Sequence, residues 1–411
     1  MGWWQRFKRA DGVKQMTPSY IRTMLMRGTA HWSAFDFVAF VQEGYSRNPT
    51  VYACIAAKAQ AASDLPIILT DAQGQPIEKH PLLDMIKQPN IYQSWSSLMT
   101  ELISNYCIAG DAPLLKIAAG RKVELIGLRP DQLIIETYDR ASGLPSIMRY
   151  SSTDANQATV SRQYDAKEVL IWHEYNPLDR WRGLSPLRSC AYAIDTLNSY
   201  ASSNKATLDN GVTPSGVLAT EQKLDDPTFN RLKDQFDTRY AGASNSGKPM
   251  ILEGGLSWTQ TGLSPREMEY IQGKRANELD ICKALRVPPQ IIGIDGSQTF
   301  ANYEQARAAL YEDEVIPMVN SLLSEIVRFV SPELKTDGYT LRVDVDAVTA
   351  LEPRRAERNK TVDALQSITI NEKRAAMGYE GVGDEGDLVL VSSGVIPLDM
   401  AGVDPVTSTG N

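Results

Sequence analysis

Histidine and cysteine are scarce in this chain of 411 residues, and neither is clustered. His31, His80 and His173 stand far from one another, and Cys54, Cys107, Cys190 and Cys282 contain no C-x-x-C pair. A structural zinc site needs four such ligands at close spacing, so neither metal nor cofactor is expected. Each cysteine sits in an apolar, helix-like run, which predicts buried free thiols in a reducing compartment. No uncharged apolar run approaches the roughly 18 residues of a membrane span, so no membrane association is expected. The start, Met1-Gly-Trp-Trp-Gln-Arg-Phe-Lys-Arg9, is basic and aromatic but has no apolar h-region for secretion. Gly2 opens like a myristoylation site, yet Arg6 stands where Ser or Thr is required. An arm docking on a neighbour fits this segment better. Excess positive charge is missing too: the formal net charge is -8. That balance argues against a tight, nonspecific grip on nucleic-acid phosphates.

What is present is a folded α+β composition, 43% hydrophobic and 22% charged, over a length that calls for several packed units. Residues 1–30 are polar and irregular. Residues 31–182 mix helices and strands. Asn48-Pro49 caps and opens a helix that stops before Pro66. Residues 65–69 and 75–77 read as a hairpin around Asp71-Ala-Gln-Gly74. A helix with Trp95, Leu98, Met99, Leu102, Ile103 and Tyr106 on one face comes next. Short strands follow over 114–117, 123–128, 133–137, 147–150 and 169–172.

The centre holds two long amphipathic helices around an insert. The first runs from Ser185-Pro186 to about residue 210, with Leu187, Cys190, Ala191, Ile194, Leu197 and Ala201 on its apolar face and Gly211 closing it. The second starts at Ser264-Pro265-Arg266-Glu267, which fits a capping box. Its stripe is Met268, Ile271, Leu279, Cys282 and Leu285, and Val287-Pro-Pro289 ends it. The insert reads as a strand over 215–219, a helix capped by Asp226-Pro227 and a strand over 249–253. A core this small is marginal alone. Residues 291–302 form a Gly-, Ser- and Asn-bearing loop. A long helix over 303–330, kinked at Pro317, a strand over 339–345 and a helical zone from Glu352 complete the chain.

Several chemical motifs fail on inspection. Gly242-Ala-Ser-Asn-Ser-Gly247-Lys248-Pro249 lacks the hydroxyl that a P-loop uses to hold magnesium, and a strand, not a helix, follows. Gly381-Val-Gly383-Asp-Glu-Gly386 matches a dinucleotide fingerprint, but no strand precedes it and two acids would repel a pyrophosphate. Gly183-Leu-Ser185-Pro-Leu187 misses the last glycine of a nucleophile elbow. Asp344 and Asp346 alternate on a predicted strand, so both carboxylates would share a face. A metal-dependent nuclease could use such a pair, but a solvated strand face is the simpler reading. Arg354, Arg355, Arg358 and Lys360 are interleaved with Glu352 and Glu357, as on a solvated helix.

Read in order, the chain resembles the HK97-like family of phage portal proteins. The resemblance rests on Arg47-Asn-Pro-Thr-Val51 through Asp64-Leu-Pro66, His80-Pro-Leu-Leu83 to Gln88-Pro-Asn90, and Gly110-Asp111. It continues through Gly183-Leu-Ser-Pro186, Leu208-Asp-Asn-Gly211, Pro214-Ser-Gly216, Gly247-Lys-Pro249, Leu252-Glu-Gly254 and Trp258. Arg286-Val-Pro-Pro289, Gly293, Asn302 with Glu304, Pro317, and Asn371-Glu-Lys-Arg374 with Gly378 close it. The resemblance implies a mobile arm (1–30), a mixed wing (31–182), stem helices (183–210 and 264–290), and a clip inserted between them (211–263). It further implies a tunnel loop (291–302), a long kinked helix with a wing strand (303–350), and a crown with a tail (351–411). It implies a dodecameric ring at one capsid vertex of a virion, assembled in the host cytoplasm, through which double-stranded DNA is packaged and ejected. The partners implied are the major capsid protein, the large terminase and a head–tail adaptor. Arg231, Asp234, Gln235 and Arg239 on the clip helix are the expected docking residues. Asp295, Ser297, Gln298, Thr299 and Asn302 are the expected channel-loop residues, offering weak polar contacts rather than a cationic grip. On this reading the chain is not an enzyme and has no catalytic residues. A metal-dependent nuclease and a capsid-associated adaptor or scaffold protein are the alternatives.

Overall fold

The structure, a computed structural model, describes residues 37–120, 122–153, 159–209, 216–219, 227, 257–260, 267–294, 299–365 and 367–387. A helical lead-in, Phe37–Ala39 continuing as a π-helical turn at Phe40–Tyr45, brings the chain to α1 (Pro49–Ser63). The Asn48 side chain accepts hydrogen bonds from the Thr50 and Val51 amides, and Pro49 fills the first turn, where its missing N–H costs nothing. Val51, Cys54, Ile55, Ala59 and Ala62 recur every three or four residues and are all buried.

β1 (Ile67–Thr70) follows. The expected hairpin is reduced to one bridge, Thr70 to Pro76. The real partner of β1 is β10 near the other end of the chain, antiparallel, with Ile67 opposite Val343. α2 (Pro81–Lys87) is capped by the His80 ring, whose Nδ1 accepts from the Leu82 amide. α3 (Trp95–Ala109) carries the predicted apolar face and ends at Gly110 in the left-handed region, φ 81. β2 (Asp111–Ala119), β3 (Lys122–Gly127) and β7 (Val169–His173) form one antiparallel sheet in the order β3-β2-β7. Between β3 and β7 the chain makes a second sheet from β4 (Leu133–Tyr138), β5 (Pro145–Thr153) and β6 (Thr159–Asp165). β6 has no buried face, so no periodicity announced it.

The first long helix is not continuous. α4 (Pro186–Ser189) and α5 (Ala191–Asp209) are separated at Cys190, whose φ of -113° and ψ of 16° leave the helix. The bend lets Leu187 and Cys190 enter the core together. Ile194 and Leu197 are also buried, but Ala201, expected on the same stripe, is exposed. β8 (Gly216–Ala219) pairs with β9 (Ser257–Gln260), a segment without a predicted strand, so the two ends of the insert meet. The expected strand over 249–253 and the loop at Lys248 lie outside the described residues.

α6 (Glu267–Ala284) buries Ile281, Cys282 and Leu285 near its end, while Ile271 is 65% exposed. Of the predicted stripe, Cys282 and Leu285 are covered where α6 meets the body, whereas Ile271 is not. Arg286 adopts φ 54, and the Val287 amide reaches back to the Cys282 carbonyl, closing the helix just before Pro288-Pro289.

The long helix begins at α7 (Phe300–Ala309), passes through a π-helical turn (Leu310–Val315) and continues as α8 (Ile316–Leu334). The irregularity is that turn, and Pro317 sits in the first turn of α8. Pro317 has no N–H to offer the Asp313 carbonyl and would crowd it in an unbroken α-helix, which makes a wider turn favourable there. Val319, Leu322, Leu323, Ile326 and Val330 of α8 are fully buried, each worth roughly 1.5–3 kcal/mol by area removed from water.

β10 (Thr340–Val343) is shorter than expected, and this overturns one expectation directly. Asp344 and Asp346 do not alternate on a strand. Asp344 caps a 3-10 turn, Val345–Ala347, its side chain accepting from the Asp346 amide. α9 (Glu352–Ala364) and α10 (Ile370–Ala376) follow, the latter opened by a Thr369/Glu372 capping box. One apolar core joins α1, α3, α4, α6, α8, β1, β10 and the β3-β2-β7 sheet. A small second core, with Leu115, Leu128, Leu133, Met148 and Val169, lies under the β4-β5-β6 sheet.

Candidate functional site

The predicted docking residues Arg231, Asp234, Gln235 and Arg239 lie outside the described residues, as do Asp295, Ser297 and Gln298 of the predicted channel loop. Thr299 and Asn302 are described and exposed, at the start of α7. Thr299 is its N-cap, the hydroxyl oxygen accepting from the Asn302 amide at 3.3 Å. The local structure thus uses Thr299 to begin the helix that carries the loop. The basic face of α9 is partly engaged. Arg354 pairs with Glu312 of the π turn, and Arg358 lies 3.7 Å from Asp346. Among the described residues, no three His, Cys, Asp or Glu side chains are grouped to hold a metal ion.

What the fold does bring together are the roots of the two long central helices. At the first root, Gly110 and Gly183 lie in contact: a Cβ on Gly183 would overlap the Gly110 carbonyl, and one on Gly110 would come within 2.5 Å of the Leu184 carbonyl carbon. Beside them Asp111, only 2% exposed, accepts from the Gly183 amide and pairs with Arg182 Nε at 2.6 Å. Arg182 also donates to the Leu133 and Pro130 carbonyls, both at 2.9 Å, and so ties the second sheet to the same point. Ser185 donates to the Ile108 carbonyl at 2.6 Å. Two segments that are only short motifs in sequence, Gly110-Asp111 and Gly183-Leu-Ser-Pro186, form one latch. Further along, Asn198 of α5 donates to the Glu43 carbonyl at 2.8 Å, and Arg47 donates to Ser202 at 3.0 Å, fastening the helix to the lead-in.

At the second root, the chain builds a charge network around the buried Lys58 that sequence patterns did not single out. Lys58 of α1, 4% exposed, donates to Glu314 at 2.6 Å and to the Leu285 carbonyl at 3.2 Å. Arg286 reaches Glu314 at 3.5 Å and Glu174 at 3.4 Å. Tyr106 donates to Glu174 at 2.5 Å and stacks on Trp172, whose indole N–H donates to Ser321 at 3.3 Å. Burial disfavours the Lys58 ammonium, but the neighbouring Cys107 and the Glu314 carboxylate together outweigh it and the pKa is raised. Burial and the bond to Glu174 push the Tyr106 phenol up, keeping it a donor. One signal could have revealed this site: Lys58 falls on the apolar stripe of α1, where an unpaired charge is not tolerated.

The chemistry of this arrangement is bracing. Its acids face bases, its phenol is held protonated, and its cysteines are free and buried, as the sequence predicted. The body fixes the roots of two long helices, and the two ends of the insert between them pair as β8 and β9. The comparisons with known proteins supply the family. The phage portal protein family matches residues 49–378. An uncharacterised protein of Rickettsia bellii (strain RML369-C) is 30% identical over 358 residues, 84% of this chain and 90% of that protein. The portal protein of Enterobacteria phage HK97 is 20% identical over 98% of this chain and 95% of that protein. A chain in the neck of a native gene transfer agent (GTA) particle, solved with C12 symmetry, is 29% identical. It superposes with a TM-score of 0.65 over 88% of this chain and 99% of its own. The chain belongs to the phage portal protein family.

Proposed function

We propose that this chain is the subunit of a closed portal ring, of twelve copies, at one capsid vertex of a phage-like particle, through which double-stranded DNA is packaged and ejected. The observation that carries this reading is the near full-length match to a chain in a particle neck with C12 symmetry. The exposed stretch of α6 that begins at Ile271, uncovered in the single chain, suits packing against a neighbouring copy. The role is mechanical, with no catalysis assigned to the chain. The acidic net charge of each copy would favour sliding of DNA over adhesion. The test is native mass spectrometry with projection images down the particle axis. A closed ring with a central channel is the expected result, and a monomer at micromolar concentration refutes it.

Within this reading, residues 211–263 form the clip, and Arg231, Asp234, Gln235 and Arg239 meet the large terminase and then the head–tail adaptor. Charge reversals there should block packaging or tail attachment while rings still form. Residues 291–302 form the channel loop, with Asp295, Ser297, Gln298, Thr299 and Asn302 touching DNA lightly. Changing Gln298 and Thr299 to Lys should slow translocation without preventing assembly. Normal packaging in either set of variants removes that assignment.

A further inference from the structure

The helix from Phe300 to Leu334 is unbroken in the chain, yet Leu310–Val315 is wound as a π turn. A π turn stores one residue more than the α-helix that would otherwise span the same place. The consequence can be read from α7. Ala306, Ala308 and Leu310 are buried. If α8 were extended backwards as an uninterrupted α-helix, those three places would fall to Arg307, Ala309 and Tyr311. The two arrangements differ by a rotation of about 100° and a shift of about 1.5 Å along the axis of α7.

The second arrangement has room. A cavity of about 890 Å³ lies between α7 and α9, bordered by Gln305, Ala308 and Ala309 on one side and by Pro353, Arg354 and Glu357 on the other. A rotated Arg307 would find the Glu357 carboxylate in that space. Two carboxylates of the π turn are meanwhile held from outside the helix. Glu312 pairs with Arg354 of α9, and Glu314 pairs with Lys58 of α1 at 2.6 Å and with Arg286 at 3.5 Å. The turn is therefore clamped by α9 on one side and by the second helix root on the other.

We propose that the Leu310–Val315 turn is a register joint with two positions, and that Arg354 and Lys58 are the positioning residues that latch it in the position seen here. Opening the latches lets the stored residue pass into an α-helical turn and rotates the start of α7, including Phe300, which is 78% exposed. The joint thereby couples α9 to the end of α7. That this end works in a DNA channel rests on the reading above, whereas the joint itself does not.

Hydrogen exchange by mass spectrometry on the full-length chain tests it. Arg354→Gln, on a side chain 49% exposed, opens the outer latch without burying a charge. The double variant Lys58→Met with Glu314→Gln removes both charges of the inner pair together. Deleting Asp313, which is exposed, removes the stored residue and leaves α7 in phase with α8. Exchange of amides 306–315 should rise at least tenfold in both latch variants and fall below wild type in the deletion, with 319–330 unchanged in all three. Wild-type exchange in Arg354→Gln overturns the proposal, as does faster exchange in a folded deletion variant. If exchange responds as expected while DNA retention in particles is unaltered, the joint stands and the channel-loop assignment falls.

Discussion

Two isoleucines on the central helices should respond to the same substitution in opposite ways. Ile194 of α5 is 3% exposed, and Ile271 of α6 is 65% exposed. Replacing Ile194 with Asp withdraws a buried side chain worth about 1.5–3 kcal/mol and places an unpaired carboxylate in the core, which costs several kcal/mol more. The total is comparable to the roughly 5–15 kcal/mol that holds a typical domain together. Ile194→Asp should therefore fail to fold, lacking a cooperative thermal transition by circular dichroism. Ile271→Asp meets water in the single chain, so its effect on chain stability should stay within about 0.5 kcal/mol. In a closed ring the same position recurs at every interface between copies. Native mass spectrometry should then show Ile271→Asp chains that are folded, with normal melting, but dispersed as monomers. Intact rings from Ile271→Asp would refute the argument that the face of α6 at Ile271 is an assembly surface. A folded Ile194→Asp protein would refute the placement of the first root in the core.

Asp111→Ala should destabilise the chain by about 3 kcal/mol, the low end for breaking a buried pair, because Arg182 keeps two carbonyl partners. A urea-unfolding loss below about 1 kcal/mol would remove the latch from the list of stabilising features. Gly183→Ala should be worse, since a Cβ there meets backbone that cannot swing aside, and soluble expression at wild-type level would contradict it. Stability should also fall steadily in alkali. Burial raises the Cys107 thiol, burial and Glu174 raise Tyr106, and Cys107 with the Glu314 pairing raises Lys58 above burial's opposing pull. With all three folded-state values raised, the unfolded chain releases these protons first. The stability they contribute is whole below the unfolded values and is lost as pH climbs through the folded ones. From about pH 8.5 upward the slope should approach 1.4 kcal/mol per pH unit for each group engaged, and Cys107→Ala should flatten its first part. Unfolding free energies that stay level from pH 8 to 11 would show the signs to be wrong.

Much of the architecture was legible because it is local. Asn48-Pro49 declares a helix start by capping and a fixed φ, and the 3.6 period of α3 declares which face is buried. The order of short motifs was enough to indicate the family. Polar strands such as β6 carried no such signal, because a strand without a buried face has no alternation to read. The candidate channel and docking residues were chosen by loop position and by resemblance, and of these Thr299 is a helix cap in the structure.

The amino-acid sequence by itself determined the long helices, most of the strands, the free cysteines and the bracketing of an insert by two amphipathic helices, since each depends on neighbours a few residues away; the short α2 and the helical lead-in it did not mark. Tertiary structure alone decided that β1 pairs with β10 across some 270 residues, that Gly110 must accept Gly183, and that Lys58 meets Glu314 over 256. It also decided that α6 buries Cys282 and Leu285 while leaving Ile271 uncovered, and that the long helix stores a residue in a π turn. These are questions of which surface faces which, and they are settled by packing and desolvation between distant segments, to which no local period is sensitive.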